Sequence, residues 1–466
     1  MHAGWEALMA PRSVAVIGAS ATPGKPGHEV IRNIQENGFE GRVWLVNPRG
    51  GHIRGLAVQA SIADLPCGVD LAIIILPAKD TLEALKACAD RGVRSFVLAA
   101  GGFAEVDDAG HGIQTAISNL VRERKLCVLG PNTSGHVSTP QRFTSTFFPL
   151  GKIRKGRVSY IAQTGNFATH TMKHILTSEY FGVARVIGLG NKIGLDETDA
   201  LDWLADDDQT HAVLMYLESV VRPRDFLRVA REVTRTKPVV ALKSGATEAG
   251  RKAALAHTAA LAAEDRLIEG LLRQAGIVRL RDYTQLVLMG KALSMVRLPR
   301  GNRVGFLAPS GAMIVTLSDL CSRLGLALPE LAPESLDRLR SLSPPYIRMR
   351  NPVDIWAAAT ARGVEEAYRE GMEILLQDPN IDAVVAVLLL TQDTGIPGSD
   401  FMIDLAHRYP DKPLLITFTA EKRYMDAFKE AMEPQGVPTF AQIEQPFEVL
   451  SVLSACRQAL EGTENR

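Results

Sequence analysis

The sequence predicts an α/β protein that opens with a Rossmann-type domain and continues with two related copies of a second α/β unit. Three observations predict it. Short runs rich in Val, Ile and Leu alternate with helical stretches along the chain, the pattern of parallel sheets covered on both faces. The first run ends in a glycine-rich turn ahead of a helix. The remainder repeats itself weakly in a fixed order. The 466 residues give room for about three domains, and a hydrophobic content of 46% can fill their cores.

Strands are expected in the first third at Ser13–Ile17, Val43–Val46, Leu71–Leu76, Ser95–Leu98 and Leu126–Leu129, with helices between them. This is the spacing of successive right-handed βαβ crossovers, whose ligands bind at the carboxyl ends of the strands. In the remainder, Arg157–Gly165 resembles Arg303–Gly311, and three further matches come after it in order. They are Asn191–Asp196 with Asn351–Asp354, Lys237–Val240 with Lys412–Leu415, and Gly276–Val278 with Gly436–Pro438. Four matches in register favour duplication over chance. The first copy carries an extra segment, Ser244 to Ala263, between its last two matches, and this insertion contains His257. An insertion in one copy alone points to function rather than architecture.

Composition excludes several classes. Fifty-two basic residues balance fifty-two acidic ones, so no global field for nucleic acid is present. No stretch has the length and apolarity of a membrane helix, and no signal-type segment opens the chain, so a cytoplasmic protein is expected, with neither a membrane nor nucleic acid as partner. The five cysteines, Cys67, Cys88, Cys127, Cys321 and Cys456, form no C-x-x-C pair, which disfavours a zinc site or a disulfide framework. No metal ligands are assigned.

The first strand runs into Gly18-Ala19-Ser20-Ala21-Thr22-Pro23-Gly24-Lys25-Pro26-Gly27. Glycine there lets backbone N–H groups approach phosphate oxygens at a helix N-terminus; a tight turn without ligand is the plain alternative. A dinucleotide fingerprint would have Gly in place of Ser20 and an acidic residue ending the second strand. That strand ends instead in Asn47-Pro48-Arg49, and Arg49 suits an extra phosphate such as that of NADP or coenzyme A. Walker spacing fails, with five residues between Gly18 and Gly24 and Pro26 after Lys25. The loops Ala99–Glu105, with Ala100 and Gly101, and Gly130–Gly135, with Pro131 and Asn132, complete one edge of the same crevice.

In the second unit, Gln163-Thr164-Gly165-Asn166 stands between a strand and a helix, where it can hold a phosphoryl group or simply cap the helix. His257 lies in the small-residue insertion, and a neutral imidazole is a good nucleophile toward phosphorus near neutral pH. Glu218, ending the strand Ala212–Leu217, is placed to orient it. Spacing alone does not bring the two together.

Taken together, Pro11–Ser20, Glu248-Ala249-Gly250, His257-Thr258 and Arg273–Gly276 make the chain resemble the α subunit, or α-type half, of NDP-forming acyl-CoA synthetases. That group contains ADP-forming acetate:CoA ligase and is related to succinyl-CoA synthetase. The resemblance runs nearly the whole length and implies a CoA-binding Rossmann-type domain at 1–137. It implies succinyl-CoA synthetase-like, flavodoxin-like domains at 150–298 and 301–461. It also implies reversible conversion of carboxylic acid, CoA and NTP to acyl-CoA, NDP and phosphate, through an acyl phosphate and a phosphohistidine.

By the same resemblance His257 is the phosphorylated residue, Glu218 its stabiliser and Gln163 to Asn166 the phosphate-holding turn. The CoA contacts fall on Gly18, Ala19, Ser20, Thr22, Gly24, Lys25, Gly27, Asn47, Pro48, Arg49, Ala99, Ala100, Gly101, Pro131 and Asn132. No ATP-grasp segment is found, so ATP or GTP with Mg²⁺ is expected on a separate ATP-grasp β subunit within an oligomer. The chain departs from the family pattern Ser-His-Thr-Gly-Ala-Leu at Ala256 and Ala259, on either side of His257-Thr258, and from Ser-Gln-Ser-Gly at Ala162 and Thr164. A CoA-binding regulatory protein with impaired catalysis, or an NADP-linked oxidoreductase, are the alternatives.

Overall fold

The computed structural model describes residues 4–163, 165–250, 252, 265–393 and 395–464. The chain divides into two compact units, one of Met1–Ser178 and Gly182–Tyr283, the other of Glu179–Phe181 and Thr284–Arg466. Among the described residues no helix is long and apolar enough to cross a membrane.

The first unit holds two sheets. The first contains β1 (Ser13–Ile17), β2 (Arg42–Val46), β3 (His52–Ile53), β4 (Leu56–Gln59), β5 (Leu71–Ile74), β6 (Ser95–Leu98) and β7 (Cys127–Leu129), in the spatial order β3-β4-β2-β1-β5-β6-β7. Every pair is parallel except the edge hairpin β3–β4. The order reverses between β1 and β5, which makes the crevice outside those strands the topological switch point. The apolar runs are unbroken because both faces are buried: Val14 and Val16 enter one core, while Ala15 and Ile17 enter another. The hairpin is an addition to the five expected strands. Its turn residues Arg54 and Gly55 have φ of +48° and +83°, as a two-residue primed turn requires, and its strands are too short to show a period.

The second sheet contains β8 (His136–Ser138), β9 (Phe143–Thr144), β10 (Lys155–Ala162), β11 (Val183–Gly188), β12 (Ala212–Leu217), β13 (Val239–Lys243) and β14 (Val278–Arg279). Five parallel strands run β14-β13-β12-β10-β11, a doubly wound flavodoxin order, and β8 joins β11 antiparallel. The two sheets are locked by backbone. Gly188 N–H donates to Gly135 O at 3.0 Å, Asn191 N–H to Pro131 O at 2.9 Å and Leu195 N–H to Val128 O at 3.0 Å. Gly190, at φ +60°, permits this approach, since a Cβ there would lie 2.2 Å from Pro131 O.

The second unit contains β15 (Val304–Ala308), β16 (Val353–Asp354), β17 (Ala383–Leu390), β18 (Leu414–Ala420) and β19 (Thr439–Phe440), all parallel in the order β16-β15-β17-β18-β19. That is the order of the five parallel strands of the second sheet. Three of the four sequence matches fall on or lead directly into equivalent strands, and the Pro238 and Pro413 carbonyls accept equivalent bonds from Val213 N–H at 3.0 Å and Val384 N–H at 2.9 Å. The match of Asn191–Asp196 with Asn351–Asp354 is out of step. The first segment comes after β11, whereas the second runs onto β16, because the second copy has cut this strand to two residues.

His136 on β8 is fully buried, with Nδ1 2.8 Å from Ser145 Oγ and its ring 5.4 Å from that of Phe143. Burial pushes its pKa down to about 3. An unfolded chain takes up this proton near pH 6.5, so the stabilising contribution of the neutral ring is intact above that pH and is lost as the pH falls toward 3. Its loss amounts to at most about 1.4 kcal/mol per pH unit. Urea denaturation between pH 7 and 5 should show a steeper fall in stability for wild type than for His136→Gln; equal slopes would refute the assignment.

Candidate active site

The carboxyl end of β1 turns sharply at Gly18, whose φ is +94°. Gly27 packs so closely on it that a Cβ would lie 2.1 Å from Gly18 O. Residues 21–26 between them are exposed, and the helix Pro26–Glu36 begins with Lys25 at its N-cap. Glu29 shapes this loop from below. It is buried, accepts from Gly24 N–H at 2.8 Å and pairs with Arg32 at 2.7 Å. Asn47 donates to Ala19 O at 2.8 Å and accepts from Arg49 N–H at 2.9 Å. Its amide therefore ties the two loops together, while the Arg49 side chain stands in solvent. Ser20, Thr22 and Pro48 share this end of the sheet.

Two loops farther along, Ala99, Ala100 and Gly101 come after β6, and Pro131 and Asn132 after β7. Asn132 N–H donates to Ala100 O at 2.8 Å, and Asn132 takes a left-handed conformation at φ +57°. Because the backbone ladder joins the sheets, this edge opens onto the carboxyl ends of β10, β11 and β12. The result is a cleft of about 800 Å³ that Ala99 and Asn132 line together with Gln163, Gly165, Asn166 and Glu218.

Within that cleft Gln163 works as a scaffold. Its Oε1 accepts from Glu218 N–H at 2.9 Å and Ser219 N–H at 3.0 Å, and its Nε2 donates to Ser219 Oγ at 3.1 Å. This clamps the ends of β10 and β12 and presents Glu218, half-buried, to the space. Gly165 and Asn166 are exposed at the start of a π-helical turn, Phe167–Thr171, that precedes the regular helix Met172–Ser178. Thr169 Oγ donates back to Gly165 O at 2.8 Å. Asn166 reaches Tyr283 Oη at 3.3 Å. Burial raises the pKa of Tyr216, and the neighbouring Glu218 charge adds to it. On the adjacent strand end, burial lowers the pKa of Lys243. Thr164 and His257 lie outside the described residues.

Of four further polar residues of this cleft, Lys192 and Ser219 were not singled out in sequence, while Glu105 and Asn191 were named only within a crevice loop and a repeat match. Lys192 is nearly inaccessible, with Nζ 2.9 Å from both Glu197 Oε2 and Ser219 Oγ. Asn191 donates to Glu105 Oε2 at 2.7 Å and to Gln114 Oε1 at 2.8 Å. Burial raises the pKa of Glu105, but hydrogen bonds from Asn191 and from the backbone of Phe103 and Gly102 outweigh it and hold the carboxyl below its usual range. Ser219 completes the set. Gly190-Asn191-Lys192 comes after a strand of a parallel sheet and carries a glycine, the same criterion that marked Gly101–Gly102, and this signal was present in the sequence.

The cleft thus has a cationic and amide-rich end at Lys192 and Asn166, a carboxylate at Glu218 able to hold a donor ring, and an opening at Ala99 and Asn132. Such an arrangement can bind an anionic phosphoryl group beside a ligand lying along the first sheet.

Comparison with known proteins fits this layout. Residues 12–138 match the CoA binding domain family, 155–293 the succinyl-CoA ligase like flavodoxin domain family, and 304–449 the ligase-CoA domain family. The chain is 33% identical to acetate–CoA ligase [ADP-forming] II subunit alpha of Pyrococcus furiosus, over 96% of each chain. It is 34% identical to acetate–CoA ligase [ADP-forming] II of Archaeoglobus fulgidus over 95% of this chain, but spans only 65% of that longer relative. Among solved structures, the dinucleotide forming acetyl-coenzyme A synthetase 1 of Ca. Korarchaeum cryptofilum, in complex with phosphate and ADP, superposes with a TM-score of 0.90 at 28% identity. That match covers 99% of this chain and 98% of the other.

Glu197 has no solvent exposure and pairs with Lys192 at 2.9 Å. Lys192→Met should destabilise the protein by about 3–5 kcal/mol, because the carboxylate is left buried without its cation. Adding Glu197→Gln should recover most of the loss. Urea melts of the single and double variants check this, and a double variant no better than the single would refute it.

Proposed function

The chain belongs to the ADP-forming acetate–CoA ligase family, and from that premise we propose that it acts as the α subunit of an acyl-CoA ligase whose cleft interconverts an acyl-CoA and an acyl phosphate. The observation that carries this reading is the shared cleft, in which Ala99 and Asn132 of the CoA-binding domain face Gln163, Asn166 and Glu218 of the flavodoxin-like domain.

In this reading CoA lies along the first sheet. Its phosphates meet the Gly18–Gly27 turn, where Ser20, Thr22 and Lys25 stand, and Arg49 faces the 3′-phosphate. The pantetheine arm passes Ala99–Gly101 and Pro131–Asn132 to bring the thiol into the cleft. Inorganic phosphate attacks the thioester carbonyl, releasing the CoA thiolate and forming an acyl phosphate. Nitrogen of the His257 imidazole then takes the phosphoryl group and the carboxylate leaves. Glu218 holds the other ring nitrogen, stabilising the charge that develops on the imidazole, and Gln163–Asn166 receives the phosphoryl oxygens. The phosphohistidine passes its phosphoryl group to NDP on an ATP-grasp β subunit, which supplies the nucleotide site and its Mg²⁺. Every step reverses in the direction of acyl-CoA synthesis.

Calorimetry should therefore show CoA binding to the full chain with no comparable NAD binding, and Arg49→Glu should weaken CoA more than dephospho-CoA. Micromolar NAD binding without CoA binding would overturn the assignment.

Incubation with acyl-CoA and radioactive phosphate should label the chain with an acid-labile, alkali-stable bond. His257→Asn should abolish the label, and Glu218→Gln should lower its yield. Persistence of the same acid-labile label in His257→Asn would identify another carrier. CoA binding without any label, when the partner subunit is also present, would favour a regulatory protein.

A further inference from the structure

This inference rests on the acyl-CoA ligase reading and concerns how the cleft holds the phosphate of that reaction. Ser219 comes directly after Glu218 beyond the end of β12 and is half-buried on the cleft wall. Its backbone is committed within the fold: the N–H donates to Gln163 Oε1 at 3.0 Å, and the carbonyl accepts from Lys192 Nζ at 3.1 Å. Its hydroxyl oxygen lies 2.9 Å from Lys192 Nζ and 3.1 Å from Gln163 Nε2.

Elementary chemistry sets the direction of those last two bonds. A lysine ammonium has three donors and no lone pair, so Lys192 can only donate. Gln163 Oε1 accepts from the N–H groups of Glu218 and Ser219, which leaves the amide Nε2 as the donor facing the hydroxyl. Both lone pairs of Ser219 Oγ are therefore taken, and its proton has no acceptor among the described residues. The hydroxyl can act only as a donor, aimed away from Lys192 and Gln163. Accepting from a cation strengthens it, because chained hydrogen bonds polarise one another.

Lys192 is spent on this arrangement. Its remaining proton goes to Glu197 Oε2 at 2.9 Å, and Glu197 Oε1 accepts from Val221 N–H at 2.6 Å, so the pair pins the segment on both sides. Lys192 also holds a left-handed backbone at φ +58°, which a residue other than glycine keeps only where its surroundings impose it. Its charge thus reaches the cleft through the Ser219 hydroxyl. The duplicated unit supplies an internal comparison. Counted from the equivalent Val213 and Val384, Glu218 and Ser219 fall opposite Leu389 and Leu390, and Gln163 falls opposite Pro309. The copy without the cleft has none of these hydrogen-bonding side chains.

We infer that the Ser219 hydroxyl binds an oxygen of the phosphoryl group, both in inorganic phosphate and in the acyl phosphate. A donor-only group polarised by a cation suits an anionic oxygen better than a neutral carbonyl. Its place beside Glu218 and Gln163 also puts it at the phosphate end of the cleft, away from the opening at Ala99 and Asn132.

The test titrates inorganic phosphate into the full chain by calorimetry. Ser219→Ala should weaken phosphate binding about tenfold, the loss of one hydrogen bond to a charged group, and leave CoA affinity within about twofold. Ser219→Thr keeps the hydroxyl and should stay within about threefold of wild type, whereas Ser219→Cys keeps the shape with a weak donor and should resemble Ser219→Ala. Melting temperatures report folding of each variant. In labelling from acetyl-CoA and radioactive phosphate, Ser219→Ala and Ser219→Cys should raise the half-saturating phosphate concentration and not that of acetyl-CoA. Phosphate affinity unchanged in both variants, or a defect confined to acetyl-CoA, would overturn this inference and leave the ligase reading standing. Ser219-dependent phosphate binding without any label, with the partner subunit present, would overturn the ligase reading instead.

Discussion

The site depends on one backbone ladder. Residues 188–195, at and beyond the end of β11, donate main-chain hydrogen bonds to the carbonyls of residues 128–135, at and beyond the end of β7, reinforced by the Thr133 hydroxyl donating to Gly188 O at 2.5 Å. Main-chain bonds in a buried seam have fixed length and direction, and an unpaired group there would cost a lost hydrogen bond without water to replace it. The carboxyl ends of two sheets are therefore held edge to edge. Each sheet alone would offer a shallow loop surface; joined, they enclose the cleft.

The charged groups at this junction are positioned mostly by other protein groups. Lys192 is held by Glu197 and Ser219, Glu105 by Asn191 and two backbone amides, and Glu218 is presented by the Gln163 clamp on its own N–H. In a partly desolvated cleft such bonds fix side-chain geometry before a ligand arrives, so little reorganisation is left for the reaction step. Gln163 illustrates the point. Its amide, read in sequence as a phosphate ligand, already bridges two strand ends, and on the acyl-CoA ligase reading it acts through the geometry of its neighbours.

Among the described residues, the two flavodoxin-like units share a core and differ at the carboxyl edge of the sheet. Both have the strand order 2-1-3-4-5, which satisfies the packing of a doubly wound sheet without reference to chemistry. The first copy adds the Ser244–Ala263 insertion, a π-helical turn after its first strand and a full second strand leading into Asn191–Lys192. The second copy has a regular helix in that position and a second strand of two residues. The features that differ are those at the carboxyl edge, where ligands bind, and the features that persist are those of the core.

Local pattern along the chain encodes part of this architecture. Val14–Ile17 and its counterparts read as buried strands because both faces are covered, so no polar residue interrupts them. The glycine turn at Gly18–Gly27 and the absence of an acidic residue after β2 were legible as composition. The repeat was legible because its copies share strand order, although its Asn191 and Asn351 pieces fell out of step where one strand shortened. Tertiary structure alone decided which loops meet. Glu105 and Asn191 are 86 residues apart and share a hydrogen bond only because the ladder sets two sheets side by side. Phe148 and His170 face each other across 22 positions of chain, with Asn33, from a third element, pinning the backbone at Thr146 and Phe148. Periodicity encodes which face of an element is buried, but pairing between distant elements is set by backbone complementarity and packing, which leave no fixed spacing in the chain.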